Sequence, residues 1–141
     1  MVTTIGVMGL SKLQVNSLVN NQQSQYSTLV TWQLYQMAER MRSNSGAAIA
    51  GLYLNAGTDN DCITSACTAQ EMAQSDIFNW NSENGDLFPA GAGTITQPGG
   101  AGTDFIITMR WDGNRKAATG TGCDASNDAD LLCNTVTITL N

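Results

Sequence analysis

Residues 3–44 read TTIGVMGLSKLQVNSLVNNQQSQYSTLVTWQLYQMAERMRSN, and this stretch decides the fold. It contains no proline and only two glycines, Gly6 and Gly9. Its second half has apolar residues at spacings of four, four, three and four, namely Tyr26, Val30, Leu34, Met37 and Met41. That spacing is typical of a helix that packs one face against a core. The sequence therefore predicts one long helix over residues 3–44.

The start of this predicted helix has a different pattern. Its apolar residues lie on most sides of the helix: Ile5, Val7, Met8, Leu10 and Leu13. A helix that is apolar all round requires a membrane or a partner, so these five residues predict an assembly or partner interface. At about 1.5 Å per residue the helix would span roughly 60 Å, whereas a domain of this size is about 30 Å across. Part of the helix is therefore expected to project, with the Asn- and Gln-rich residues 16–25 in solvent.

Length and charge define the broad class of protein. The 141 residues fit a single domain, and a chain of this length can bury a sizeable core. The net charge is −6, with only six Lys and Arg residues. Nucleic acids and anionic membrane surfaces require clustered basic residues, so neither is an expected partner.

The four cysteines occur in two close pairs, Cys62/Cys67 and Cys123/Cys133. Neither pair has zinc-site spacing, and the chain has no His to complete a mixed metal site. Three pairings are possible, and proximity favours two local disulfides formed in an oxidising compartment. Each bridge would contribute roughly 2–3 kcal/mol in the chain-entropy model. An exported protein needs an export signal, so the apolar start directly after Met1-Val2 suggests that a leader has been removed.

The middle of the chain predicts a short second helix. Arg40 and Arg42 suit the end of the first helix, and residues 43–46 then stop it. Residues 47–55 are expected to be irregular or to form a short turn. Thr68 and Glu71 form a capping-box pattern, which predicts a helix to about Asn81. Its expected buried face consists of Ala69, Ala73, Ile77 and Trp80.

The last third predicts antiparallel strands. A first strand is expected at Thr94–Thr96, and residues 105–111 alternate apolar and polar up to a turn at Asp112-Gly113. A polar loop over residues 114–133 leads to a last strand in which Val136, Ile138 and Leu140 alternate with threonines. The predicted class is α+β, a long helix packed on an antiparallel sheet with a short second helix and disulfide-closed loops. The expected helix-to-sheet core consists of Val30, Leu34, Met37, Met41, Trp111 and Ile138.

No pattern in the sequence predicts catalysis. There is no His to serve as a base, and all cysteines are expected to be oxidised. Two carboxylates flanking a cleft are required for glycosidase chemistry, and the acidic residues are expected to be solvated loop charges instead: Asp59, Asp61, Asp76, Glu83 and Asp86. The run Asp124, Asn127, Asp128, Asp130 offers oxygen ligands for calcium but lacks EF-hand spacing. No enzyme, cofactor or metal is therefore expected.

Two further features favour structure over ligand binding. The string GAGTITQPGGAG at residues 91–102 lacks the Gly-Lys-Ser/Thr ending of a phosphate-binding loop, so it is expected to form turns between strands. Trp32, Trp80 and Trp111 are expected to be buried anchors and not a sugar-binding platform.

Six motifs, in this order, carry a resemblance that covers most of the chain. They are IGVMGLSKLQ from Ile5, AERMRSN from Ala38, CTAQEMAQSDIFNWN from Cys67, LFPAGAG from Leu87, MRWD ending at Asp112, and the Cys123 to Cys133 loop. Each motif alone has low specificity, whereas the ordered set resembles the type IV pilus minor pilins, in particular the PilV family of pilus-modification proteins. A pilin-like fold is what this resemblance implies.

The resemblance also implies a function without catalysis. Pilins of this kind have a leader that prepilin peptidase removes, and methylation is among their modifications. Their apolar N-terminal helix anchors them in the inner membrane, facing the periplasm, and later packs in the extracellular pilus of a Gram-negative bacterium. The implied partners are other minor pilins of a tip complex that primes assembly, the major pilin and the inner membrane, in support of adhesion and twitching motility.

This sequence departs from the family pattern at its start. The leader, the Phe-Thr-Leu-Ile-Glu-Val motif and the first half of the membrane helix are absent. The polypeptide as it stands is therefore expected to be soluble and unable to enter a pilus normally. A minor pseudopilin of type II secretion is the close alternative, and a free secreted adhesin or binding module is the second.

Overall fold

The computed structural model describes the backbone of residues 2–141 and the side chains of residues 21–141. Three α-helices are followed by three strands, and the α+β class and the antiparallel sheet are thereby confirmed. The elements in chain order are α1 (Val2–Ser43), α2 (Ser45–Ile49), α3 (Ala69–Leu87), β1 (Ala92–Thr96), β2 (Asp104–Trp111) and β3 (Leu132–Thr139).

Helix α1 packs on the sheet through one face of its second half. Val30, Leu34, Met37 and Met41 are at most 2% exposed, and Ala38 beside them is fully buried. This face lies over β2 and β3, and the flank of α1 contacts α3. Trp111 and Ile138 belong to the same buried cluster, so all six expected core residues lie in one core.

Residues 47–55 were expected to be irregular or to form a short turn, and the turn is present, whereas the first three residues of this segment belong to a helix. Helix α2 occupies Ser45–Ile49, and a 3₁₀ turn follows at Leu52–Leu54. Gly51 between them has a φ of 79°, a left-handed conformation that glycine adopts without steric cost. The reversal at Gly51 brings the Tyr53 side chain into the core, where it is 1% exposed.

Helix α3 begins as predicted and ends later than predicted. The Thr68 hydroxyl accepts the Glu71 N–H while the Glu71 carboxylate accepts the Thr68 N–H, which forms the complete capping box. The helix continues beyond Asn81 to Leu87, and Asn84 in this added turn is fully buried. Pro89 disfavours helical backbone at Phe88, where the helix ends. On the predicted buried face, Ala69 is exposed and the other three residues are buried.

The sheet has the order β1-β2-β3, with both pairs antiparallel. Alternate β2 residues point into the core as the alternation predicted, namely Phe105, Ile107, Met109 and Trp111. Strand β3 begins at Leu132, earlier than expected, because pairing with β2 continues to the end of that strand and places Cys133 opposite Arg110. Cys133 therefore belongs to the strand and not to the loop before it.

Trp80 of α3 packs directly on Gly93 of β1. The indole is fully buried, and its Nε1–H donates to the Gln33 carbonyl oxygen of α1 at 3.0 Å. A Cβ at residue 93 would lie 2.0 Å from Trp80 Cη2, well inside contact distance. Glycine at position 93 is therefore required for α3 to approach the sheet.

We expect Gly93→Ala to lower the free energy of unfolding by about 1–3 kcal/mol, because it overpacks a rigid indole. Denaturant unfolding followed by circular dichroism, with both disulfides intact, measures this loss. Gly46→Ala is the matched control, since a Cβ there has nothing within 4 Å and lies in helix α2. The control should be neutral or stabilising by up to about 1 kcal/mol. Equal stability of the two variants would contradict the proposed packing constraint.

Candidate interaction surface

The solvent face of α1 carries three large apolar side chains, which we call the aromatic stripe. Leu29 is 39% exposed, Trp32 61% and Tyr35 55%. The expectation that all three tryptophans are buried is wrong for Trp32, whereas Trp80 and Trp111 are buried. At 100° per residue, Trp32 lies opposite the face that carries Val30, Leu34, Met37 and Met41. A helical-wheel reading of the sequence would have placed it in solvent.

The predicted interface at the start of α1 is not described by the structure. The side chains of Ile5, Val7, Met8, Leu10 and Leu13 lie outside the residues whose side chains are described. In the part of the chain that was searched, no helix combines the length and the apolar character needed to cross a membrane.

A turn after β2 contacts α1 at Tyr26. The Asp112 carboxylate is buried and accepts the Lys116 N–H at 3.1 Å and the Ala117 N–H at 2.9 Å. The turn between them carries Arg115, whose Nη2 donates to the Tyr26 hydroxyl at 3.2 Å. This hydrogen bond is the main reason that the pKa of Arg115 is raised. The turn therefore holds α1 at Tyr26, one turn before its buried face begins.

An aromatic contact supports the same attachment. The Tyr26 ring meets Phe88 edge-on at 5.8 Å between centroids, and Phe88 lies 6.4 Å from Trp111. Sequence reasoning placed Tyr26 on the packed face but found no partner for it, because Arg115 and Phe88 are far from it in the chain.

A cleft of about 520 Å³ lies between the end of α1 and the start of α3. Its lining residues are Glu39, Arg40, Ser43, Asn44, Cys67, Thr68, Ala69, Met72 and Asp76.

A hydrogen-bond network lies next to this cleft. The Tyr53 hydroxyl donates to Asp76 Oδ2 at 2.5 Å, and Arg40 Nη1 donates to the Asp76 carbonyl oxygen at 3.1 Å. Arg40 Nη2 also approaches Glu83 Oε1 at 3.4 Å. Burial, then the hydrogen bond to Asp76, raises the pKa of Tyr53 well above its usual value. This network ties Tyr53, α1 and α3 together.

The carboxylates of the acidic loop have separate protein partners. The Ser126 hydroxyl and N–H lower the pKa of Asp124, and Lys116 pairs with Asp128. Asp130 accepts the Asp124 N–H at 3.4 Å. Among the residues searched, no group of three or more His, Cys, Asp or Glu side chains is arranged to hold a metal ion.

The remaining acidic residues of the sequence analysis are also spread over the surface. Asp61 accepts the Thr64 hydroxyl, and Asp59 accepts the Asp61 N–H. Glu71 is exposed at the start of α3, where the Thr68 backbone N–H and then its hydroxyl lower the pKa of Glu71. Each of these carboxylates has a local structural partner in its own segment.

Both predicted disulfides are confirmed. Cys62 bonds to Cys67 immediately before α3, and Cys123 bonds to Cys133 in β3. The first bridge closes a six-residue loop whose Ile63 is 94% exposed. The second attaches the polar loop to the sheet.

No protein-family model matches this chain, and neither a curated protein nor a solved structure gave a match.

We expect Tyr53→Phe to lower the free energy of unfolding by about 1–2 kcal/mol near neutral pH, because Asp76 loses its hydrogen-bond donor. The folded-state pKa of Tyr53 is raised above its unfolded value of about 10. The difference in free energy of unfolding between the wild type and the variant is thus fully present below pH 10. It declines as the pH rises further, since Tyr53 then ionises only in the unfolded state. Denaturant unfolding of both proteins across this range measures the difference. A difference that grows above pH 10 would contradict the assignment.

Proposed function

We propose that this chain is a non-enzymatic minor pilin of a type IV pilus, similar to the PilV family. It would take part in priming pilus assembly and in a minor-pilin complex at the pilus tip, and so support adhesion and twitching motility. The observation that carries the proposal is the division of α1 into two faces. One face packs on an antiparallel sheet, and the other presents the aromatic stripe to solvent.

The aromatic stripe supports an interaction role because its residues are three positions apart on one helix and are therefore neighbours on its surface. Single exposed apolar residues are ordinary on protein surfaces, whereas a contiguous exposed patch marks an interaction site. Trp and Tyr are also the residue types that contribute most to protein interfaces. The stripe begins one turn after Tyr26, so it lies on the part of α1 whose opposite face packs in the core.

A structural role also agrees with the distribution of polar groups. Several of the acidic residues that the sequence offered for catalysis bond within their own segments, as Asp59 and Asp124 do, or support helix packing, as Asp76 does. In the proposal, the partners are other minor pilins, the major pilin and the inner membrane. The subunit would reside in the inner membrane, facing the periplasm, before it enters the extracellular pilus.

Two alternatives share part of this support. A minor pseudopilin of type II secretion would use the same helix and sheet. A free secreted adhesin or binding module would use the aromatic stripe without a filament.

The reading frame upstream of Thr3 separates these classes, together with mass analysis of the mature N-terminus from the native organism. A short basic leader that ends in Gly, followed by an apolar run with Glu at its fifth mature position, would support the pilin class. A conventional signal peptide cleaved just before the helix would overturn the filament proposal and favour the secreted module.

We expect Trp32→Ser to weaken capture of the other minor pilins of the organism at least tenfold, since a central aromatic anchor contributes about 2 kcal/mol or more to an interface. Pull-down of those subunits by purified variants measures the loss. Stability should change by less than about 0.5 kcal/mol, because Trp32 is exposed.

Phe78→Ser on α3 is the matched control, since Phe78 is 41% exposed outside the stripe. The control should capture partners like the wild type. Unchanged capture by the Trp32 variant, with the same subunits bound, would remove the stripe from the proposed interface.

A further inference from the structure

The two edges of the sheet are protected differently. At the β1 edge, the Gly93 N–H points away from β2 and donates to Asn81 Oδ1 of α3 at 2.7 Å. The 3₁₀ turn at Leu52–Leu54 also contacts β1. The edge at β1 is therefore covered from within the domain.

The outer edge of β3 is only partly covered. The Leu140 N–H donates to the Thr103 carbonyl oxygen, so even-numbered β3 residues direct their backbone groups toward β2. The odd-numbered β3 residues must then direct their backbone N–H and C=O groups outward, away from β2: Cys133, Thr135, Thr137 and Thr139. Ahead of β3, the Leu131 N–H already donates outward to Gly120, and the Cys123–Cys133 bridge fastens the loop there. Coverage by the loop thus ends near Cys133.

Beyond Cys133, the edge has one small local cap. The Thr135 N–H donates to Asn134 Oδ1 at 2.9 Å. Within the described part of the chain, no backbone group bonds to the outward groups of Thr137 and Thr139. The segment from Leu131 to Asn141 carries no charged side chain and no proline. Charges and proline are the devices by which edge strands usually avoid pairing, and this edge lacks them.

We propose that the β3 edge pairs antiparallel with the β3 edge of a second copy of this chain, across a two-fold axis at Thr137. In this register, Thr135 faces Thr139 of the second copy and the two Thr137 residues face each other. In this register the outward N–H and C=O groups of one β3 strand face those of the other. The two three-stranded sheets would therefore form one sheet of six strands. Threonine pairs across strands are favourable, and no like charges meet within the strand pair.

Helix geometry adds a side-chain contact to this pairing. Gln33 and Arg40 bond to α3, and Tyr35 lies about 150° around α1 from them. Since α1 lies over β2 and β3, the side of α1 away from α3 is the side nearer the open edge, and the helical wheel places Tyr35 on that side. We therefore expect the second copy to lie beside Tyr35. This inference does not depend on the proposed function.

The expected association is weak. A strand pair of about five residues buries far less than the roughly 1,200 Å² of a stable interface, so we expect a dissociation constant on the order of 0.1–1 mM. The charge of −6 on each copy opposes encounter, and association should strengthen with added salt.

Sedimentation velocity of the full chain over a concentration series up to about 1 mM tests the pairing. Thr137→Pro removes only an outward N–H, which an edge strand tolerates, and should raise the dissociation constant at least tenfold. Thr137→Lys keeps the backbone donor and places two lysines face to face, with the same expected effect. The lysine variant tests the same pairing if circular dichroism shows that the proline variant does not fold.

Thr96→Lys is the matched control, because Thr96 is exposed on the same outer face but at the covered β1 edge. This variant should associate like the wild type. A wild-type protein that stays monomeric over the whole series would overturn the proposal. So would dimers that persist in both Thr137 variants, or that weaken equally in the Thr96 variant.

Discussion

The contact of Trp80 with Gly93 and Gln33 is the junction on which the rest of the structure depends. One buried indole rests on the bare backbone of β1 and hydrogen-bonds to the backbone of α1, so it sets the positions of both helices relative to the sheet. Any side chain at residue 93 would push α3 away from β1. Because protein cores are close-packed, such a displacement would propagate to α1 through the same indole. The apolar spacing of α1 defines its packed and free faces, and this junction fixes how the packed face is placed on the sheet.

Other polar contacts attach α1 to α3 and to the turn after β2. Tyr53, Asp76 and Arg40 join the end of α1 to the middle of α3, and the Arg115 turn holds α1 at Tyr26, well before that end. Helix α1 is thus attached at both ends of its buried segment. A helix held in this way keeps the backbone at Trp32 in place, so less backbone entropy is lost when a partner binds.

The sequence predicted those elements whose determinants are local. Alternation over residues 105–111 gave β2, the Thr68–Glu71 pair gave the start of α3, and proximity gave both disulfides. What it missed depends on contacts between distant segments. Helix α3 continues past Asn81 through a turn in which Asn84 is buried, and the early start of β3 follows from pairing with β2. The Tyr26–Arg115 contact joins residues 89 positions apart, which no local pattern reveals.

The exposure of Trp32 is a different case. Its position on the helical wheel predicts a solvent-facing side chain, and only the general tendency of tryptophan to be buried argued against that prediction.

We expect the aromatic stripe and the β3 edge to adjoin on the side of α1 that carries Tyr35. A strand of a second copy at the β3 edge would lie beside the flank of α1 that carries Tyr35, so self-association would cover that ring and leave Trp32 and Leu29 exposed. A partner that binds the whole stripe would in turn occupy the space that the second strand needs. The two surfaces are therefore expected to compete, and by linkage each interaction weakens the other by the same factor. Weak self-association at the edge would then protect an uncharged strand in the free subunit and yield to a partner that binds the stripe more tightly.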